Sequence, residues 1–193
     1  GVYVASVTQS TDFPFTNGFS GAYNGISSGT IFNLSGDLTQ LIWSSATGGD
    51  VAEAACGVQI GPDGTIYITV GTTSVNLISS AAGADPSYSG MVDGYIMRLS
   101  ANGSTVLNST YVGTFGFDQT YFVQPDTDGE VYVIGQSLGD IQVSPDVYSN
   151  PGGRQCVQKY SADLTTLEWS TTIGSNDNQI NFSPSAFLVT NCS

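Results

Sequence analysis

An all-β fold is predicted by three features of this 193-residue chain. Thr, Ser, Val, Tyr, Phe and Gly dominate its composition, which favours strands and tight turns over helices. No stretch sustains the apolar periodicity of a helix. Short apolar runs punctuated by Asp/Gly turns recur three times along the chain.

The recurrence is a repeat of roughly 65 residues. The segments Phe32 to Gly48, Met97 to Gly113 and Gln158 to Gly174 align without a gap: Ser35, Ser100 and Ser161 coincide, then Ser44, Ser109 and Ser170, then Gly48, Gly113 and Gly174. Trp43 and Trp169 share one position, with Asn108 between them. A second block keeps the same phase. Gly64-Thr65-Ile66-Tyr67-Ile68 matches Gly129-Glu130-Val131-Tyr132-Val133, and Val2-Tyr3-Val4 is the same strand again. The approximate units are 1–64, 65–129 and 130–193.

Each unit reads as four short strands. The first is of the Val-Tyr-Val type, and a variable Gly- and Ser-rich loop follows, such as Asp12 to Gly29. The second strand includes Ile31 to Leu34, Tyr95 to Leu99 or Cys156 to Tyr160. A tight turn follows at Gly36-Asp37, Ala101-Asn102-Gly103 or Ala162-Asp163, and then a third strand such as Gln40 to Ala46. The fourth lies near Gly57 to Ile60, Tyr121 to Val123 and Ala186 to Val189. The turns Gly61-Pro62-Asp63-Gly64 and Pro125-Asp126-Thr127-Asp128-Gly129 lie between apolar runs, as hairpin turns do.

Four-stranded units at this period predict three four-stranded antiparallel blades of a β-propeller, with about twelve strands in all. Alternating large residues, Phe32/Leu34 and Tyr95/Met97/Leu99, then pack between blades. Three blades are too few to close a ring, so the chain is expected to be a segment of a larger propeller. Its partners are then further blades of a parent chain or further copies of itself, because open strand edges and apolar blade faces invite pairing.

These residues resemble the bacterial β-propeller repeat family found in very large secreted proteins. The resemblance covers essentially the whole chain. It is carried by Ser10-Thr11-Asp12-Phe13-Pro14, by Asp93-Gly94-Tyr95-Ile96-Met97-Arg98-Leu99 with Lys159 at the matching basic position, and by Ser109-Thr110-Tyr111-Val112-Gly113. The stretch Ser183 to Cys192 is similar to segments of giant Bacteroidota proteins that carry gliding-motility-associated or type IX secretion tails. Copies two and three depart from Asp-Phe-Pro, with Asn76-Leu77-Ile78 and Asp140-Ile141-Gln142, and copy one has Asn33 at the basic position. The resemblance implies architecture and an extracellular, cell-surface location more than an activity.

Charge narrows the partners. Sixteen acidic residues oppose three basic ones, Arg98, Arg154 and Lys159, for a formal net charge of -13. Such a field repels phosphate backbones and anionic lipid, so neither nucleic acid nor membrane insertion is expected. No apolar run is long enough to span a bilayer as a helix. The chain has no histidine, which removes the commonest general base and metal ligand. Cys56, Cys156 and Cys192 lack C-x-x-C spacing, so one disulfide plus a thiol and three thiols both stay open.

Four residues are candidates for structural charge pairs. Arg98 and Lys159 are in register, and so are Glu53 and Asp118, their expected partners. Asp126, Asp128 and Glu130 alternate along one turn in the manner of calcium ligands, making Ca²⁺ the one cofactor to consider, although the distal bidentate ligand of a full loop is missing. Most other acids sit in turns, where an Asp bonds locally, and no nucleophile–base pair stands out. The chain is therefore expected to be a non-enzymatic structural, adhesion or interaction module. The alternatives are a glycan-binding module using Phe13, Phe15, Phe19 and Tyr23, with a surface glycan or protein as partner, and a propeller hydrolase fragment with converging carboxylates.

Overall fold

The computed structural model describes residues 1–21, 23–77, 82–175, 179 and 184–190. Among them are eleven strands and no helix: β1 (Val2–Thr8), β2 (Ser28–Leu34), β3 (Leu41–Ala46), β4 (Glu53–Ile60), β5 (Ile66–Thr72), β6 (Asp93–Leu99), β7 (Val106–Val112), β8 (Asp118–Pro125), β9 (Val131–Ser137), β10 (Gln155–Tyr160) and β11 (Leu167–Ile173). They form three antiparallel sheets in sequential order: β1-β2-β3, β4-β5-β6-β7 and β8-β9-β10-β11.

The count departs from twelve strands in three sheets of four. The segment Ala186 to Val189 forms no strand. It is nonetheless held beside β8, because the Gln124 amide donates to the Val189 carbonyl at 3.0 Å and accepts from the Val189 N–H at 2.9 Å. Strand pairing also cuts the chain one strand earlier than the sequence period. The strand ending each sequence unit pairs with the Val-Tyr-Val strand of the next across the Gly61–Thr65 and Asp126–Glu130 turns. A hairpin needs only a short turn, so its two strands stay together. The first sheet, opening with β1, accordingly has three strands.

The turns joining second and third strands are three copies of one device. Ser35, Ser100 and Ser161 each donate a side-chain hydrogen bond to the oxygen of Asp37, Asn102 or Asp163, at 2.6–2.7 Å. That oxygen also accepts from the backbone N–H and hydroxyl of Thr39, Ser104 or Thr165. The intervening residue, Leu38, Gly103 or Leu164, has a φ of 60°, 70° or 62°. The short polar side chain thus replaces missing backbone partners in a tight left-handed turn.

The sheets stack face to face. β4 lies against β1 and β2, and β8 lies across β4, β5 and β6. Alternation along the strands gives the second sheet two apolar faces. Ile66, Ile68, Val70, Tyr95, Met97 and Leu99 join Ile31 and Trp43 of the first sheet in one core. Tyr67 and Ile96 join Val123, Val131, Val133, Tyr160 and Leu164 in the other. Tyr95, Met97 and Leu99 pack between sheets as expected, whereas Phe32 and Leu34 are not in that core and Phe32 lies 6.0 Å from Phe13 of its own unit. Hydroxyls bond the second and third sheets too: Thr69 Oγ1 donates to the Tyr121 carbonyl and Thr120 Oγ1 to the Val70 carbonyl, both at 2.9 Å.

Candidate functional site

Two of the three cations, Arg98 and Lys159, organise one end of the sheets, while Arg154 donates to the Gly139 carbonyl at 3.2 Å at the other. Pairing places Arg98 between Tyr67 and Asn108, Lys159 between Tyr132 and Trp169, and Asn33 between Tyr3 and Trp43. Each row therefore sets a polar or cationic side chain between an aromatic first neighbour and a third-strand residue. The guanidinium carbon of Arg98 lies 5.9 Å from the Tyr67 ring centre, and Lys159 Nζ lies 5.6 Å from that of Tyr132, both within cation–π range. Trp43 and Trp169 meet Tyr3 and Tyr132 edge to face, at 6.2 and 5.8 Å.

The acids that complete these rows are not the expected ones. Arg98 Nη2 donates to Asp63 Oδ2 at 2.9 Å, and Lys159 Nζ lies 2.7 Å from Glu130 and 2.9 Å from Glu168. Asp63 is held below the usual carboxylate range by the Thr65 hydroxyl and N–H, with Arg98 adding to them. Lys159 is pushed up by its bonds to Glu130 and Glu168. A register shift at Lys159 explains Glu168. The bulge leaves Glu168 as the extra residue and swings it towards the cation. The same shift occurs at Asn33 and at Arg98, where the extra residues are Ile42 and Leu107.

Glu53 and Asp118 lie at the opposite end of the strands, which corrects their assignment as partners of Arg98 and Lys159. Glu53 accepts from Ser74 Oγ and, at 3.3 Å, from Thr72 Oγ1. Asp118 Oδ2 accepts from the Thr114 N–H at 2.6 Å and its hydroxyl at 2.8 Å. Strand pairing sets Glu53, Thr72 and the buried Asp93 in one row. One oxygen on each of Glu53, Asp93 and Asp118 is buried without a hydrogen-bond partner. Burial raises Glu53 and Asp93 above the usual carboxylate range, so these carboxyls are biased toward the neutral form.

The turn carrying Asp126, Asp128 and Glu130 is braced internally. Asp126 Oδ1 accepts from the N–H groups of Asp128 and Glu130, each at 3.0 Å, and Glu130 is engaged by Lys159. Among the described residues no three His, Cys, Asp or Glu side chains gather in ion-binding geometry. Cys56 and Cys156 are free thiols, while Cys192, like Ile78 of the second-copy departure, lies outside the described residues.

Two cavities of about 330 Å³ open between sheets. One is lined by Tyr3, Trp43, Asn17, Asn33, Asn102 and Ser104, where the second sheet's turn meets the first sheet's row. In the other, Asp85 and Asp140 share a wall with Gln142, Gln158 and Tyr160. The loop aromatics Phe13, Phe15, Phe19 and Tyr23 are all partly buried. Phe13 lies 4.9 Å from Phe15 and 6.0 Å from Phe32, Phe19 packs on the core, and Tyr23 donates to the Ile26 carbonyl.

No protein-family model and no curated protein matches this chain.

Proposed function

We propose that this chain is a run of propeller-type blades from a large secreted bacterial surface protein, where it serves as a non-enzymatic structural or adhesive module. The observation that carries this reading is the fate of its scarce cations. Arg98 and Lys159, two of three basic residues, are bound at the same register to acids of their own sheets. A ligand-binding or catalytic cation would point into a cavity, whereas these brace a repeating architecture. The stack itself supports the blade reading, since each sheet seats a turn on the face of the one before it. The glycan reading has weaker support, because Phe13, Phe15 and Phe19 pack together or inward.

The location is tested with antibodies raised against the purified chain. They should label intact, unpermeabilised cells of the bacterium that encodes it. Labelling that appears only after permeabilisation would overturn a surface role.

A further inference from the structure

Each interior face of the stack is closed by a turn, and the closure follows a size rule. The β6–β7 turn of the second sheet sits against Trp43 of the first. Its left-handed residue is Gly103, where a Cβ would come within 2.4–2.6 Å of three indole carbons. The β10–β11 turn of the third sheet sits on the Tyr67–Arg98–Asn108 row of the second. Tyr67 Oη donates to the Ala162 carbonyl at 2.7 Å and Asn108 Nδ2 to the Asp163 carbonyl. Its left-handed residue is Leu164, fully buried. A large third-strand residue, Trp43, thus lies under a turn with glycine at the left-handed position, and a small one, Asn108, under a turn with leucine there. Close packing requires this exchange, because the sheets keep one spacing while the side chains change.

The third sheet carries the same row, Tyr132–Lys159–Trp169, on the face turned away from the second sheet. Among the described residues no turn covers it. Trp169 is partly exposed, whereas its equivalents Trp43 and Asn108 are 3% and 6% exposed; the cations Arg98 and Lys159 are exposed alike, and Tyr3 and Tyr132 are both partly exposed. Beside it, residues 184–190 are held against β8 by Gln124 and belong to no sheet.

We infer that this face docks a further sheet of the same design, one whose turn bears glycine at the left-handed position as Ser100–Ser104 does. The inference rests on the stacking in the proposed function and adds a rule for which sheet fits. Trp169 is the selecting residue, since it leaves no room for a side chain on the incoming turn. The chain's own first turn presents Leu38, exposed and at that position. An unmodified second copy would drive leucine into the indole, so head-to-tail stacking of identical chains is disfavoured by overlap.

Sedimentation velocity on four forms of the full chain tests this: wild type, Leu38→Gly, Trp169→Asn and the double variant. The Leu38→Gly chain supplies a glycine turn for Trp169, and Trp169→Asn recreates the Asn108–Leu164 match. Each substitution installs the residue that an equivalent position already carries, and circular dichroism verifies the fold. Each single variant should self-associate about fivefold or more tightly than wild type, the fold-change that relief of an overpacked contact gives at the low end of its cost. The double variant, with glycine against asparagine, should associate no better than wild type. Equal association of all four would leave stacking intact but overturn the glycine rule. No association in any form would overturn the docking face itself.

Discussion

Arg98 reaches back over the ring of Tyr67 to Asp63, with Nη2 2.9 Å from Oδ2, and so ties β6 to the β4–β5 turn. Asp63 has a lowered carboxyl, chiefly because Thr65 donates to it twice and secondarily because of Arg98. A lowered acid adds stability above its unfolded pKa and loses it as pH falls through the folded value. Asp63→Asn should therefore cost about 0.5–1 kcal/mol at pH 7, a small figure because the carboxyl is half exposed. The loss should shrink as pH falls through the folded value of Asp63. Urea unfolding at pH 7 and at successively lower pH checks this.

Glu53 should show the opposite sign. Its pKa is raised by burial, against the bonds from Ser74 and Thr72. Its contribution is therefore greatest below the unfolded pKa and is lost as pH rises through the folded value. Glu53→Gln cannot ionise. Its stability relative to wild type should thus improve as pH is raised from 4 to 7, read from the same unfolding curves. A difference independent of pH would show that folding does not shift the Glu53 carboxyl.

Leu38 and Leu164 share a left-handed backbone but not an environment. Leu38 is exposed, and Leu164 is fully buried in the core between the second and third sheets. A left-handed non-glycine residue costs about 1–2 kcal/mol, of which glycine's extra freedom in the unfolded chain takes back roughly half. Leu38→Gly should raise stability by up to about 1 kcal/mol in dilute solution. Leu164→Gly should lower it by about 2 kcal/mol or more, because the lost burial outweighs the relieved backbone. Thermal unfolding of the two variants separates these effects.

Cys56 and Cys156 should be slow to alkylate. Burial raises both thiols, and Cys156 is pushed up to about 12. Since the thiolate is the nucleophile, little of it exists at pH 8. Counting modified thiols by mass spectrometry should find these two labelled within minutes in urea and over far longer times in the native protein.

The period, the tight turns and the shared register of Arg98 and Lys159 were legible in the sequence, because each is a local pattern repeated at fixed spacing. Their acid partners were not. Glu168 reaches Lys159 only through a bulge, and bulges leave no mark in residue spacing. Asp63 looked like an ordinary turn residue, which it also is. Glu53 and Asp118 misled because register fixes a position along the strand but not which end of the sheet the cation occupies. The seats of the Gly103 turn on Trp43 and of the Asp163–Leu164 turn on Asn108 span two sheets, so neither is visible within one copy of the repeat.

The central claim is that the three sheets form one welded stack, and two tryptophans report on it from opposite ends, Trp43 in the first sheet and Trp169 in the third. Single-tryptophan variants, Trp43→Phe and Trp169→Phe, are unfolded in urea while fluorescence and far-UV circular dichroism are followed together. A first interface packed in one core through Ile31 and Trp43, and a second bonded through Tyr67, Thr69 and Thr120, predict that in each variant the remaining tryptophan changes along the same curve as the circular dichroism. A fluorescence transition that runs to completion while most of the β signal remains would contradict the account, because it would show sheets that unfold one at a time.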